Sequence, residues 1–441
     1  MLSTLFGFVI AIFVMGILIL VHELGHFLFA KMNGIGVEAF SIGFGNELFG
    51  FTIGETRYRI STIPFGGYCK LKGEGDKEDS APDSMYNRPA YARLLTVLAG
   101  PLFNYLFAFI ILIILFNAGY KDKLIAPYID VIEKVGDNPT PAFNAGLKSG
   151  DYILSIDDKP VESYADIPKY IALSKTENLK ITFLREGKTN EITVKTIYDK
   201  NRGVSYLGVS MLFLPVVGNV MPNSPAEKVQ LKENDRIVSI NGKKINYFFE
   251  LREMIKDKAN SEIEIVYERA SKLYTNRVKL DRFEGIGFLG VYPKEVIFFE
   301  KSVKARNFVN SIAMSFNEIN KIIIETLQGI SAMIRGRINP QKNLSGPLRI
   351  INITSEIAMN TDFITLIRFI VLLSVALAFF NLLPIPGLDG SHVILNFIET
   401  VTPIKIPLKV RTYIEYAGFI FIILLSALVF LNDIINIFGG R

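Results

Sequence analysis

Apolar positions in this chain gather into four long blocks, at about 4–30, 94–118, 364–388 and 412–432. Each approaches the roughly 20 apolar residues that cross a bilayer as a helix. The pattern predicts a polytopic α-helical membrane protein with four transmembrane helices. Between the first two blocks the period changes. Val37–Phe44 and Thr56–Ile63 are extended-looking runs around a glycine-containing stretch, and they read as a β-hairpin. Its Phe and Ile content beside a spanning helix favours a hairpin that dips into the membrane; an ordinary cytoplasmic hairpin is the other reading. Residues 73–80, GEGDKEDS, read as a solvated loop.

Residues 119–300 carry a repeat. Pro141-Ala142, Leu147-Lys148 and Asp151 recur as Pro225-Ala226, Leu231-Lys232 and Asp235, and Leu207-Gly208-Val209 recurs as Leu289-Gly290-Val291. Two copies of one domain, each of short strands with Gly and Asn turns plus a helix, follow from that spacing. The run Leu-Lys-x-x-Asp-x-Ile-x-Ser-Ile resembles PDZ domains of the bacterial type. The Leu-Gly-Val elements look like their peptide-binding loop, placed at the end of each copy as in circularly permuted versions. PDZ domains take extended peptides or chain ends by strand addition. Size exclusion of bulky substrates is the rival role.

Residues 302–350 show helical spacing at Ile319, Ile322, Ile323, Leu327, Ile330 and Ile334. This reads as an interfacial helix or as a helix packed on the second copy. Pro340 and the turn at 345–347 separate it from the third span.

The expected domain order is therefore helix 1 at 1–30, a membrane-associated β-hairpin region at 31–93 and helix 2 at 94–118. The two PDZ copies follow at 119–211 and 212–298, then an amphipathic helical region at 299–362. Helix 3 is expected at 363–388, a cytoplasmic loop at 389–411 and helix 4 at 412–433.

Charge adds orientation. Residues 31–93 hold eight Lys or Arg, and 389–411 hold Lys405, Lys409 and Arg411, whereas 1–30 hold none. The positive-inside rule places those two segments in the cytoplasm, and both termini and the repeat outside. The first block lacks a basic start and a clear cleavage site, so it reads as a retained helix rather than a signal peptide. At 50% hydrophobic and 21% charged, the chain fits part membrane, part globular protein. A net charge of +5 without a basic block gives no sign of nucleic-acid binding. With Cys69 the one cysteine, intrachain disulfides and cysteine metal clusters are excluded.

The chemistry lies inside the apolar blocks. The first carries His22-Glu23-Leu24-Gly25-His26, and the third runs into Asp389. Ionisable groups at membrane depth are costly and usually functional. His22 and His26 lie one turn apart on one helix face and can share a metal ion. Glu23 sits where it can reach a metal-bound water as general base. Catalytic zinc takes three protein ligands and leaves one position open. Asp389 is the best third ligand, because it too closes a span at the cytoplasmic end. His392 reads as a polar residue at a helix start, or else as a partner behind the ligands or a donor to the transition state. Asn104, four residues after Gly100, reads as helix packing or as a similar partner.

These elements resemble the site-2 protease family of intramembrane zinc metalloproteases. The likeness rests on His-Glu-Leu-Gly-His, on Gly100-Pro101-Leu102-Phe103-Asn104, on two PDZ copies and on Asn381-Leu382-Leu383-Pro384-Ile385-Pro386-Gly387-Leu388-Asp389-Gly390. The resemblance implies one Zn²⁺ per chain on His22, His26 and Asp389, with Glu23 as base. It also implies that Asn381, Pro384 and Pro386 line the path of the substrate. It further implies regulated intramembrane proteolysis in a bacterial inner membrane. The substrates would be single-span membrane proteins, such as anti-sigma factors trimmed outside beforehand, and signal peptide remnants. PDZ copies and termini would lie outside the cytoplasm, with the active site near the cytoplasmic face and the lipid bilayer around it. A non-catalytic scaffold and a metal transporter are the competing readings. The first leaves the His22/Glu23/His26/Asp389 set unexplained. The second needs more polar positions along its spans than 94–118 offers.

Overall fold

The computed structural model describes residues 2–73, 81–135, 138–200, 203–343 and 346–438. Most of the expected polar loop, 74–80, lies outside the described residues, as does residue 345 of the expected turn. The chain divides into two compact units. One comprises residues 1–120, 303–330 and 340–441, and the other comprises 121–302 and 331–339.

The first unit is built on helices. α1 spans Leu2–Met32 and α2 spans Ala90–Ala118. After the repeat come α3 (Phe308–Ile334), α4 (Pro347–Asn360), α5 (Phe363–Asn381), α6 (Asp389–Val401) and α7 (Leu408–Phe438). Among the described residues four helices are long and apolar enough to cross a membrane: Leu5–Met32, Ala90–Ala118, Phe363–Asn381 and Leu408–Leu428. The chain is a membrane protein.

Two glycines let α1 and α2 approach closely. A Cβ on Gly25 would collide with the Ala99 carbonyl, and one on Gly100 would collide with the imidazole of His26. Small residues at such contacts let helix backbones approach where lipid offers no hydrophobic drive. Farther along, Ala108, Leu112 and Phe116 of α2 pack with Ile319 of α3 and with Val371 and Val375 of α5. Of the α3 row, Ile319 is buried in that cluster with Ile322 and Ile323 packed beside it, whereas Leu327 and Ile334 are exposed.

The third span also differs from expectation. α5 stops at Asn381, not 388, and Asp389 opens a new helix, α6, instead of ending the span. The helix stops because Pro384 and Pro386 cannot donate to its hydrogen-bond ladder. Gly387 turns the chain at φ +88°. The segment 389–411, expected as loop, is helical over its first 13 residues.

Strands β1 (Val37–Ile53) and β2 (Thr56–Leu71) form the expected hairpin, longer than the sequence pattern showed. Each strand pairs twice. Ala39 faces both Arg57 and Lys70, Ile42 faces both Ile60 and Gly67, and Phe49 faces Ile60. The result is four short runs side by side, in the order 47–53, 56–61, 37–42, 67–71. Gly43 and Gly45, each at φ +89°, allow β1 to bend between its two runs. Ile42, Phe44, Leu48, Phe49, Phe51 and Ile60 of this sheet are exposed.

In the second unit the repeat is explicit. One copy has β3 (Tyr152–Ile156), β4 (Lys159–Pro160), β5 (Asn178–Arg185) and β6 (Lys188–Lys195) in the sheet order β6-β5-β3-β4. The other has β7 (Arg236–Ile240), β8 (Lys243–Lys244), β9 (Glu262–Arg269) and β10 (Lys272–Lys279) in the matching order β10-β9-β7-β8. Ile153, Ile156 and Ile181 fill one core, and Ile237, Ile240 and Ile265 fill the other. A helix follows the first hairpin of each copy, Asp166–Leu173 and Phe248–Ile255. In both, the Leu-Gly-Val segment returns to the copy's start: Ala142 N–H donates to Leu207 O (2.8 Å) and Ala226 N–H to Leu289 O (2.9 Å).

Candidate metal centre

α1 runs through His22, Glu23 and His26 without a break, which puts both imidazoles on the side facing α2. α6 begins at Asp389 after the 382–388 interruption and brings its carboxylate to them. His22 Nε2 lies 3.0 Å from Asp389 Oδ2, and His26 Nε2 lies 3.4 Å from the same oxygen. The two Nε2 atoms are 3.2 Å apart. All three residues are largely buried, with side-chain exposures of 9%, 12% and 23%.

Hydrogen bonding fixes the protonation of one ring. His26 Nδ1 sits 2.9 Å from the carbonyl oxygen of Thr96, which can only accept. Nδ1 therefore carries a proton, and in the neutral ring Nε2 is a bare lone pair. That lone pair faces His22 Nε2 and a carboxylate oxygen. Asp389 Oδ2 is itself buried with no hydrogen-bond partner. With His22 in the tautomer that leaves its Nε2 bare, three electron-rich atoms this close repel unless a cation sits among them. Tetrahedral zinc with ligands at about 2.0–2.2 Å needs ligand–ligand edges of about 3.3 Å. The edges of 3.0, 3.2 and 3.4 Å fit that requirement.

Behind His22 stands Asn104, fully buried on α2, with Nδ2 3.4 Å from His22 Nδ1. Its backbone carbonyl accepts from Ser374 Oγ of α5 (2.9 Å). The other carboxylate, Glu23, receives a backbone hydrogen bond from Cys69. A cavity of about 370 Å³ opens on the site. His22, Glu23, His26, Asp389 and His392 line it, together with Tyr68 to Leu71 from the last run of β2. His392 Nδ1 is 4.0 Å from Glu415, which also accepts from the Tyr86 hydroxyl (3.3 Å).

The structure thus brings together His22, Glu23, His26, Asp389, His392 and Asn104. Asn381, Pro384 and Pro386 are not among the described residues lining this cavity; Gly387 and Leu388 are. Sequence reasoning missed the Thr96 carbonyl, the Cys69 N–H and Tyr86. The first two are backbone groups and leave no side-chain signature, and Tyr86 lies in a polar loop with no periodicity to single it out.

The sequence model of Peptidase family M50 matches residues 10–425. A Treponema pallidum protein named "Putative zinc metalloprotease" is 30% identical, with 97% of this chain and 98% of that protein covered. A Borreliella burgdorferi protein of the same name is 30% identical over 97% and 99%. The Escherichia coli regulator of sigma-E protease RseP is 29% identical over 98% of this chain and 99% of its own length. Among solved structures, a PDZ domain from Listeria monocytogenes covers 19% of this chain at 23% identity and a TM-score of 0.17, too low to assign a fold.

Proposed function

The chain belongs to Peptidase family M50, the site-2 protease family of zinc metallopeptidases, and from that premise we propose that it is an intramembrane endopeptidase whose zinc is held by His22, His26 and Asp389. One observation carries the ligand assignment: the Nε2, Nε2 and Oδ2 triangle with edges of 3.0 to 3.4 Å, in which a buried carboxylate oxygen lacks any hydrogen-bond donor.

Zinc, when bound, acts as a Lewis acid on the scissile carbonyl and on the attacking water. Glu23 takes the proton from that water and passes it to the leaving amine, so no covalent enzyme intermediate is needed. Cys69 N–H holds the Glu23 carboxylate in place from the β2 side. Thr96 and Asn104 fix the two imidazoles from behind, as partners of metal-bound histidines do.

Zinc ligation through His22 Nε2 requires a proton on Nδ1, and that proton needs an acceptor. Asn104 Oδ1 is buried with no hydrogen-bond partner. Turning the amide over puts that oxygen on His22 Nδ1, which supplies the acceptor.

A helical substrate hides its peptide bonds in its own hydrogen bonds, so cleavage needs an extended segment. The 67–71 run pairs with 37–42 on one side, and Tyr68 to Leu71 border the cavity. We assign that run as the edge that holds the substrate by strand addition. The exposed Phe and Ile of the sheet suit insertion into lipid. Asn381, Pro384 and Pro386 belong to the approach path outside the cavity. The substrates are transmembrane segments of single-span membrane proteins, including anti-sigma-factor-type proteins after extracytoplasmic trimming and signal peptide remnants. The two PDZ-like copies face the extracytoplasmic side with both termini, in a bacterial inner membrane, and control access by binding chain ends or excluding bulky ectodomains. The active site lies near the cytoplasmic face.

The test is a single-span model substrate incubated with the purified full chain, with and without a zinc chelator. Loss of cleavage on chelation and recovery on adding zinc is the expected result. Cleavage that survives complete zinc removal would overturn the proposal.

A further inference from the structure

The starts of α2 and α7 enclose a second cavity of about 510 Å³. Its described lining sets four cations, Arg88, Arg93, Lys405 and Arg411, against one carboxylate, Glu399. Glu399 lies between two of them. It forms an ion pair with Arg93, and its Oε2 is 2.9 Å from Arg411 Nη2. These are buried groups: the Arg93 side chain is 10% exposed, Arg411 2% and Glu399 6%.

One carboxylate cannot neutralise two buried guanidiniums. The shortfall appears in the hydrogen bonding as well. Arg93 Nε and Arg411 Nη2 are buried with no hydrogen-bond partner, the latter being close to Glu399 but out of line for a bond. A buried unpaired donor on a charged group is costly, and a bound anion would remove that cost. Ala90 and Leu408, at the first turns of two long helices, also line the cavity. Helix starts carry partial positive charge and free N–H groups. Pro89 caps α2 without a side-chain hydrogen bond, so no side chain of the cap residue takes up those groups.

We propose that this cavity is a binding site for a phosphoryl-bearing anion, either inorganic phosphate or the headgroup of an anionic phospholipid. Planar guanidiniums such as those of Arg88, Arg93 and Arg411 can pair with phosphoryl oxygens through two N–H groups at once, a geometry arginine suits better than lysine. Lys405, exposed at the rim, adds a point charge. Glu399 stays with the two arginines and sets their spacing. The site adjoins the metal-centre cavity through Tyr86, which lines both, but none of the proposed zinc ligands lines it, and it does not depend on the proposed peptidase reaction.

The test uses the full chain in a neutral detergent, with binding followed by calorimetry. The probes are inorganic phosphate, a short-chain phosphatidylglycerol and a short-chain phosphatidylcholine. Saturable binding of phosphatidylglycerol and phosphate identifies a free-anion site, and binding of phosphatidylglycerol alone identifies a lipid headgroup site. Arg93→Gln removes one member of a buried ion-pair cluster and threatens folding, so the exposed Lys405→Glu is the variant to compare. It should weaken binding at least tenfold while leaving the thermal transition unchanged. No binding of either anion, equal binding of phosphatidylcholine, or binding unaffected by Lys405→Glu would each overturn the proposal.

Discussion

The carbonyl of Thr96 on α2 accepts a 2.9 Å hydrogen bond from Nδ1 of His26 on α1, 70 positions earlier. Because a carbonyl cannot donate, this contact sets the tautomer of the ring and leaves Nε2 as the metal-facing atom. The second transmembrane helix thereby prepares a ligand carried by the first.

If Glu23 moves the proton, replacing its carboxylate removes the base without removing a ligand. Glu23→Gln is expected to lower turnover by about 10²–10⁴-fold. Metal analysis of the purified variant should still find one zinc per chain. Turnover equal to that of the parent chain would remove Glu23 from the reaction.

Asn104 stands behind His22 and not among the ligands. Asn104→Leu is therefore expected to weaken zinc binding by about 10–100-fold, the usual cost of losing a hydrogen-bond partner of a metal ligand. Competition with a zinc indicator reads this directly. Unchanged zinc affinity would return Asn104 to a packing role.

Gly100 and Gly329 should respond oppositely to alanine. A methyl on Gly100 meets the His26 ring, whereas one on Gly329 meets nothing within 4 Å. Gly100→Ala is expected to cost about 1–3 kcal/mol by overpacking and to reduce zinc retention. Gly329→Ala lies within α3 and should stabilise by up to about 1 kcal/mol. Thermal unfolding and zinc content of the two variants compare them.

In the second copy of the repeat, Arg269 pairs with the fully buried Asp235 through two contacts of 2.6 Å. Arg269→Ala leaves that carboxylate unpaired, at a cost of about 3–5 kcal/mol. Amide exchange of β7 and β9 in the full chain should accelerate by about two orders of magnitude or more. The matching strands β3 and β5, held by Asp151 and Arg185, should change far less.

Glu399 gives a pH dependence. Burial by itself would raise its carboxyl, but the close ion pairs with Arg411 and Arg93 and the hydrogen bond from the Ile406 N–H hold it below the usual range. A carboxyl depressed in the folded state contributes stability above its unfolded value of about 4.3 and loses it as pH falls through the folded value. The stability advantage of the parent chain over Glu399→Gln should be full near neutral pH. It should shrink as pH drops below about 4. Thermal unfolding across that range in neutral detergent checks it, and a gap that does not change with pH would count against the ion pairs.

Much of this protein was legible along the chain because its signals are local. Four apolar blocks announce spanning helices by length alone, and the spacing of His22 and His26 fixes a shared face on any helix. The repeat appears as matching letters, Asp151 and Asp235 among them, but the arginines that pair with them, Arg185 and Arg269, emerge only from the fold. Other features depend on residues that meet only after folding. The third span ends seven residues before Leu388 because Pro384 and Pro386 deny the helix its donors, yet only packing shows that Asp389 then opens a second helix. The α3 stripe has the period of a helix, but the pattern does not say that Ile319 is buried while Leu327 and Ile334 stay exposed. The sheet of 37–71 pairs each strand twice, and no alternation of side chains encodes a second partner. Thr96 O, Cys69 N–H and the Arg93–Glu399–Arg411 cluster are backbone groups or distant charges. The sequence by itself determined which side chains can ligate, span and repeat, since those properties belong to single residues and their spacing. The tertiary structure alone decided which atoms face one another, because hydrogen bonding and burial are set by the approach of segments far apart in the chain.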